Sequence, residues 1–296
     1  MEVQWLIPAA VGIAVPVILH RPLCSYARHS LQKRGMLRAN YQGRQVLTAG
    51  GVIVAGSILA ALLPMLWIQG IVQSAPLRWR EGALLGAGVA AAALWGWQDD
   101  CAADGRSKGF RGHFTALLRE RRITSGMWKV WGGGSTGAAV ALALSPETFW
   151  SWMVAASLLA LSPNVLNLFD LRPVRAVKIF GLLLVTGGVV SFWAGGVTSL
   201  FAHGVWQLPV VASVCLWFRH DARESFMLGD TGANALGYCC GYFWVTATPL
   251  AAQAAMLLLF VAITIAAEFV SLSGWIERSA WLAWIDRWGR SAEPNE

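Results

Sequence analysis

Adjacent carboxylates follow the third long apolar segment of the chain. Asp99 and Asp100 end the run 82–98, and the loop that begins with them holds seven of the 23 Lys and Arg residues. An ionised side chain near hydrocarbon costs about 2.5–3.5 kcal/mol even on lenient scales, so this pair needs a compensating interaction. Mg²⁺ is bound by a few carboxylates together with substrate phosphate oxygens and water. Acids and bases in one loop therefore predict a metal-dependent site for a phosphate-bearing substrate.

Two further polar clusters lie where apolar segments end or begin. Asn164, Asn167 and Asp170 recur every three residues, so on a helix they drift only slowly around the axis and can line one groove. Gly229 and Asp230 precede another apolar segment, and glycine allows a close backbone approach. Simpler interpretations remain open. The two asparagines can bridge neighbouring helices, Asp230 can complement a helix dipole, and the basic residues can bind anionic lipid headgroups.

The elements that position these clusters are apolar helices. The chain is 56% hydrophobic and only 13% charged, whereas soluble domains are about 25% charged. We expect an all-α, polytopic membrane helix bundle of about nine transmembrane helices, with the catalytic transmembrane domain over residues 1–272 and a cytoplasmic amphipathic tail over 273–296. The predicted spans are 5–20, 47–72, 82–98, 130–144, 149–168, 179–194, 200–217, 233–246 and 250–272.

The positive charges indicate how these spans are oriented. With nine spans, 21 of the 23 Lys and Arg residues fall on one side, and only Arg78 and Arg80 fall on the other. Cytoplasmic loops carry such an excess, so we expect cytoplasmic motif loops and an external N-terminus. Topology therefore explains the net charge of +7, and no nucleic-acid partner is expected. The five cysteines among themselves show no metal-ligand spacing, no pair of histidines has zinc spacing, and His113 alone lies in the loop of acids and bases.

These three clusters, in this order and on one membrane face, resemble the polyprenyl-phosphate glycosyl-1-phosphate transferases. That superfamily includes phospho-N-acetylmuramoyl-pentapeptide transferase and the bacterial N-acetylglucosamine-1-phosphate transferases. The similarity extends from Gly35 to Gly241. It is strongest at Asp99-Asp100, Lys108-Gly109, Asn164 to Asp170 and Gly229-Asp230-Thr231-Gly232.

The resemblance implies an Mg²⁺-dependent enzyme of the plasma membrane. It would transfer a sugar 1-phosphate from a UDP-sugar to a polyprenyl phosphate for cell-wall or envelope polysaccharide synthesis. Asp99, Asp100 and Asp230 would be catalytic, with Asp230 and Asp100 at the metal. Substrate-binding roles would fall to Lys108, Lys129, Asn164, Asn167, Asp170 and Gly229. The sequence decides neither the donor sugar nor whether the chain forms a homodimer.

The segment after Asp170 departs from the family pattern. The family continues as Asp-Gly-Leu-Asp-Gly, which contacts the nucleotide, whereas this chain reads Asp170-Leu171-Arg172-Pro173-Val174. We therefore expect Arg172 and Arg175 to bind an anionic part of the donor, because guanidinium pairs bidentately with phosphate. The alternative is that both arginines only fix topology and meet lipid headgroups. The same departure leaves open a catalytically silent relative that binds lipid phosphate or serves as a partner subunit.

Overall fold

The computed structural model describes residues 6–72, 79–102 and 125–290, and these form an all-α helical bundle with one small β-hairpin. The helices are α1 (Leu6–Lys33), α2 (Gly51–Val72), α3 (Trp79–Cys101), α4 (Ser125–Ala143), α5 (Phe149–Phe169), α6 (Arg175–Gly204), α7 (Leu208–Ala222), α8 (Gly229–Ala247), α9 (Leu250–Phe269), α10 (Leu272–Arg278) and α11 (Ala280–Arg287). Strands β1 (Leu37–Ala39) and β2 (Gln45–Leu47) pair antiparallel.

Within the described residues, five helical stretches are long and apolar enough to cross a membrane. They are 6–33, 51–70, 149–169, 175–222 and 250–269. Many of their large apolar side chains are exposed, including Ile18, Leu63 and Leu258 at about 70%. Exposed apolar surface on this scale marks contact with lipid rather than water. The chain is therefore a helical membrane protein.

The stretch 175–222 folds back on itself. Gly196 has φ +68° inside α6, a conformation that glycine adopts without steric cost. The hydroxyl oxygens of Ser191 and Ser199 lie 3.2 Å apart, although eight residues of straight helix would separate them by about 12 Å along the axis. The chain thus reverses at Gly196, where the sequence predicts a break between the spans 179–194 and 200–217.

Helix α8 lies at the centre of the bundle, against α2, α3, α5 and α6. All residues of α8 from Thr231 to Trp244 are buried. Helix α8 is not among the five stretches that are apolar enough to span a membrane, which agrees with its being surrounded by protein rather than lipid. Gly237 and Gly241 form a GxxxG pattern, in which small residues let helix backbones approach closely. A Cβ on Gly237 would lie 2.5 Å from the carbonyl oxygen of Ser162 in α5. This close packing fixes where α8 begins, and therefore where Asp230 lies.

The β-hairpin, which the sequence analysis did not predict, holds the segment before α8. The amide of Met227 donates to the carbonyl of Leu47 at 2.8 Å, and the amides of Gly50 and Gly51 donate to Met227 and Leu228 at 2.9 Å. The side-chain amide of Asn40 also hydrogen-bonds the carboxylate of Glu224. These bonds fix the approach of the chain to Gly229.

Candidate functional site

A cavity of about 700 Å³ lies among α3, α4, α5, α8 and α9. Its polar lining comes from the ends of those helices that meet at one end of the bundle. The polar residues there include Asp99, Asn164, Asn167, Asp230, Asn234 and Glu268. Residues from four separate stretches of sequence therefore share one wall. None of the described lining residues is Lys or Arg, so the described part of this mouth is acidic.

The rest of the cavity is apolar and extends along the helices. The α5 lining of the whole cavity, mouth included, runs from Ser157 to Leu168, which corresponds to about 16 Å along the helix axis. The apolar wall includes Trp95, Trp131, Leu159, Leu161, Leu257 and Val261. An acidic mouth above an apolar body suits an amphipathic ligand whose head is held through a cation and whose tail enters the bundle.

The two adjacent aspartates point to different surroundings. Asp99 lines the cavity, whereas Asp100 is buried against the first turn of α8. The carboxylate of Asp100 accepts hydrogen bonds from the amides of Asp230 and Thr231 at 3.1 and 3.0 Å, and from the Thr231 hydroxyl at 2.6 Å. These amides have no partner within the helix, and an anion also complements the positive end of the helix dipole. Asp100 therefore positions Asp230.

The metal-binding role predicted for Asp100 stays a prediction, which this geometry does not favour. Both of its carboxylate oxygens bond to α8, and it does not line the cavity. Asp99 is the member of the pair that shares the cavity wall with Asp230.

Gly229, for which a substrate-binding role is predicted, leaves room for the same Asp100 carboxylate. It has φ +70°, and a Cβ at this position would lie 2.8 and 2.9 Å from the carboxylate oxygens of Asp100 and 3.0 Å from the amide nitrogen of Ala49. Only glycine leaves room for that carboxylate.

Asp170 ends α5 close to the cavity but does not line it. Burial raises the pKa of Asp170 well above its usual value, and the nearby charges of Asp221, Asp230 and Asp100 raise it further. The amide of Gly229 opposes this shift by donating a hydrogen bond. Four carboxyl groups thus lie within electrostatic reach at one end of the bundle, and a bound cation would relieve their repulsion.

Arg175 is not among the described residues that line the cavity, and its predicted binding of the donor stays a prediction. Its guanidinium is buried and pairs bidentately with Asp286 of α11 at 2.7 and 2.8 Å. It also donates to the hydroxyl of Ser273 at 2.7 Å. The ammonium of Lys178 donates to the carbonyls of Ile285, Asp286 and Trp288 at 2.7–2.9 Å. The basic residues after Asp170 therefore anchor the C-terminal helices.

Arg172 is also directed away from the cavity. Its guanidinium pairs with Glu277 of α10 at 2.7 Å and lies 4.4 Å from the centroid of the Tyr41 ring. Arg172 thus joins α10 to the β-hairpin loop, and its predicted donor-binding role stays a prediction.

The buried side-chain oxygen of Asn234 bears on whether this site fits the expected Mg²⁺. Asn234 lies one turn after Asp230 on the same face of α8, it is buried, and its side-chain oxygen has no hydrogen-bond partner among the described residues. Carboxylate and carbonyl oxygens are the ligands that suit Mg²⁺. Asp99, Asp230 and the oxygen of Asn234 therefore fit this ion, with further positions left for phosphate oxygens and water.

Three residues at this site were missed by the sequence analysis. Glu268 is the only charged residue in the predicted span 250–272, and an ionisable residue within a span is a functional candidate. Asn234 follows Asp230 by one helical turn, which places both on one face. Asp221 accepts a hydrogen bond from the amide of Val174 at 2.8 Å, and no sequence spacing signals that contact. Lys108, the Lys129 side chain and His113 lie outside the described residues.

The chain matches none of the known family models, and it matches no curated protein.

Proposed function

We propose that this membrane protein transfers a sugar 1-phosphate from a UDP-sugar to a polyprenyl phosphate. The observation that supports this most strongly is the cavity, which combines Asp99, Asp230 and Asn234 at its mouth with an apolar body and extends about 16 Å along α5 in all. A lipid phosphate matches both parts, since its head needs charge neutralisation and its chain needs an apolar channel. The resemblance of the three motif clusters supplies the reaction class.

In the proposed reaction, an oxygen of the lipid phosphate attacks the β-phosphorus of the UDP-sugar. The bond from that phosphorus to the bridging oxygen breaks, and UMP leaves with the electron pair. Asp99 accepts the proton of a monoprotonated lipid phosphate, as a general base on the cavity wall. Asn164 and Asn167 bind polar groups of the substrates from α5. Asp230, Asn234 and one carboxylate oxygen of Asp99 would hold Mg²⁺, which leaves the other oxygen of Asp99 for the proton. The ion would supply neutralisation of phosphate charge.

We also propose that nine helical passes cross the plasma membrane, with the cavity mouth on the cytoplasmic side. The reversal at Gly196 supports two passes within the stretch 175–222, and the distribution of positive charge supports the orientation.

A second candidate is a catalytically silent relative that binds the lipid phosphate only. The segment after Asp170 favours it, because Arg172 and Arg175 are engaged with α10 and α11 instead of the cavity.

The test uses purified protein in detergent with undecaprenyl phosphate, Mg²⁺ and a panel of UDP-sugars. UMP release that requires both the lipid and one donor would support the transferase. Saturable binding of the lipid phosphate without UMP from any donor would support the silent relative. Absence of both activities would contradict both proposals.

A further inference from the structure

A cluster of two histidines and one cysteine lies between α1 and α7, and none of the three lines the cavity. His20 and Cys24 are four residues apart on α1, and His220 lies in the last turn of α7. The Nε2 atoms of the two histidines are 3.1 Å apart, and the Cys24 sulfur lies 3.7 Å from His20 Nε2 and 3.6 Å from His220 Nε2. Three potential metal ligands thus form one compact triangle.

These separations match those of a tetrahedral metal site. With Zn–N bonds of about 2.0–2.1 Å and a Zn–S bond of about 2.3 Å, tetrahedral angles place two nitrogens about 3.3 Å apart and a nitrogen and a sulfur about 3.6 Å apart. Imidazole nitrogen and thiolate sulfur are ligands that select zinc-like ions over Mg²⁺. The geometry and the donor types therefore agree.

Hydrogen bonding alone accounts for the triangle less well. Each Nε2 atom is either a protonated donor or a lone-pair acceptor, and the thiol has one proton. A hydrogen bond between the two Nε2 atoms requires one of them to accept and therefore to carry no proton. The other Nε2 and the thiol then supply two protons, which is one fewer than the three close contacts. A metal ion contacts all three atoms through lone pairs at once.

The surroundings leave the cluster accessible and link it to the chain before α8. All three residues are half-buried, so an ion can enter from the surface. The ring of His220 lies edge-on to the buried ring of Phe226, with centroids 5.9 Å apart. The guanidinium of Arg28, one turn beyond Cys24, is stacked over the same Phe226 ring at 4.9 Å. An ion here would join α1 to the segment that leads to Gly229.

We propose that His20, Cys24 and His220 bind one zinc-like divalent cation, with water in a fourth position, as a cross-link between α1 and α7. The site is separate from the proposed transferase cavity, and it uses neither lipid nor nucleotide. The sequence signal is His20 and Cys24 at i and i+4, which lie on one helix face. The third ligand is 196 residues further along the chain, and only the fold brings it close.

The test titrates metal-free protein in detergent with Co²⁺ alone and records the absorption spectrum. We expect one equivalent per chain to give a thiolate-to-cobalt charge-transfer band, and Zn²⁺ to abolish that band by displacement. Cys24→Ser should lose the band, whereas Cys215→Ser, which changes an exposed cysteine, should retain it. His20→Ala should weaken binding, whereas His29→Ala at an exposed position of α1 should not.

The spectrum of the wild-type protein tests the proposed site by itself, even if a variant fails to fold. If wild-type protein shows no thiolate-to-cobalt band at saturating Co²⁺, or if the band survives Cys24→Ser, the proposal is wrong. Because no donor or lipid is present, this result is independent of UMP release.

Discussion

Replacing Arg175 tests whether the basic residues after Asp170 bind substrate or anchor the C-terminal helices. Arg175→Ala removes a buried guanidinium whose partners are Asp286 and Ser273. Burial alone would raise the pKa of Asp286, but the hydrogen bonds and charges of Arg175 and Arg290 outweigh it and hold that pKa below its usual value. The substitution therefore leaves a partly buried carboxylate with Arg290 as its remaining ionic partner among the described residues.

Breaking a buried ion pair by removing one partner costs about 3–5 kcal/mol. We expect the lower end, about 3 kcal/mol, because Arg290 still pairs with Asp286. Lys178 also keeps its bonds to the end of α11, so the cost should appear as local opening of α10 and α11. The double variant Arg175→Ala/Asp286→Ala should cost less than the sum of the single variants, since it leaves neither charge buried without its partner.

Amide hydrogen exchange over residues 272–290 measures this opening. A loss of about 3 kcal/mol corresponds to about a hundredfold lower protection. Arg278→Ala is the matched control, because Arg278 is exposed in the same segment and should change stability by about 0.5 kcal/mol or less. Unchanged protection in Arg175→Ala together with weaker binding of a UDP-sugar would refute the anchoring role and restore donor binding.

Three further predictions concern the carboxyl cluster and the topology. Because the pKa of Asp170 is raised in the folded state, its contribution to stability is present below the usual carboxyl pKa and is lost as pH rises through the folded-state pKa. Asp170→Asn should reduce this loss in thermal unfolding measured against pH without Mg²⁺, and an unchanged pH profile would show that Asp170 does not cause it. Gly229→Ala should lower the free energy of unfolding, measured with denaturant, by about 1–2 kcal/mol, because Gly229 has a positive φ. Gly56→Ala is the control, since a Cβ at Gly56 would meet no atom within 4 Å, and equal losses in both variants would contradict the role of the positive φ. Cysteines introduced at Gln45 and Ser145, in a background without exposed cysteines, should react with an impermeant maleimide from the cytoplasmic and external side respectively, and labelling of both from one side would overturn the orientation.

The sequence predicted the helical class and the polar ends of the helices from local patterns. Long apolar runs and the concentration of Lys and Arg in alternate loops can be recognised directly in the sequence. The same holds for the helical spacing of Asn164 and Asn167, which both line the cavity. Two neighbouring carboxylates, in contrast, could not be told apart. Asp99 and Asp100 are separated by about 100° around α3, and only the position of α8 decides which one faces the cavity.

The remaining differences come from partners that are distant in sequence. Arg175 pairs with a residue 111 positions away, and His220 lies 200 positions from His20. Single-sequence reasoning sees the charge of Arg175 but not the carboxylate that neutralises it, so it assigned that charge to a ligand. The β-hairpin was missed because its strands are three residues long, which is too short for an alternating pattern to be distinguished.

UMP release by wild type and by variants of the cavity wall tests the central claim most directly. With undecaprenyl phosphate, Mg²⁺ and the accepted UDP-sugar, Asp99→Asn should lower turnover about 10²- to 10⁴-fold, as expected for loss of a general base, and Asp230→Asn should raise the Mg²⁺ concentration required. Glu147→Gln, which changes an exposed acid near Ser145 and the opposite end of the bundle, should leave turnover unchanged. Wild-type turnover that persists in both Asp99→Asn and Asp230→Asn at unchanged Mg²⁺ dependence would contradict the account.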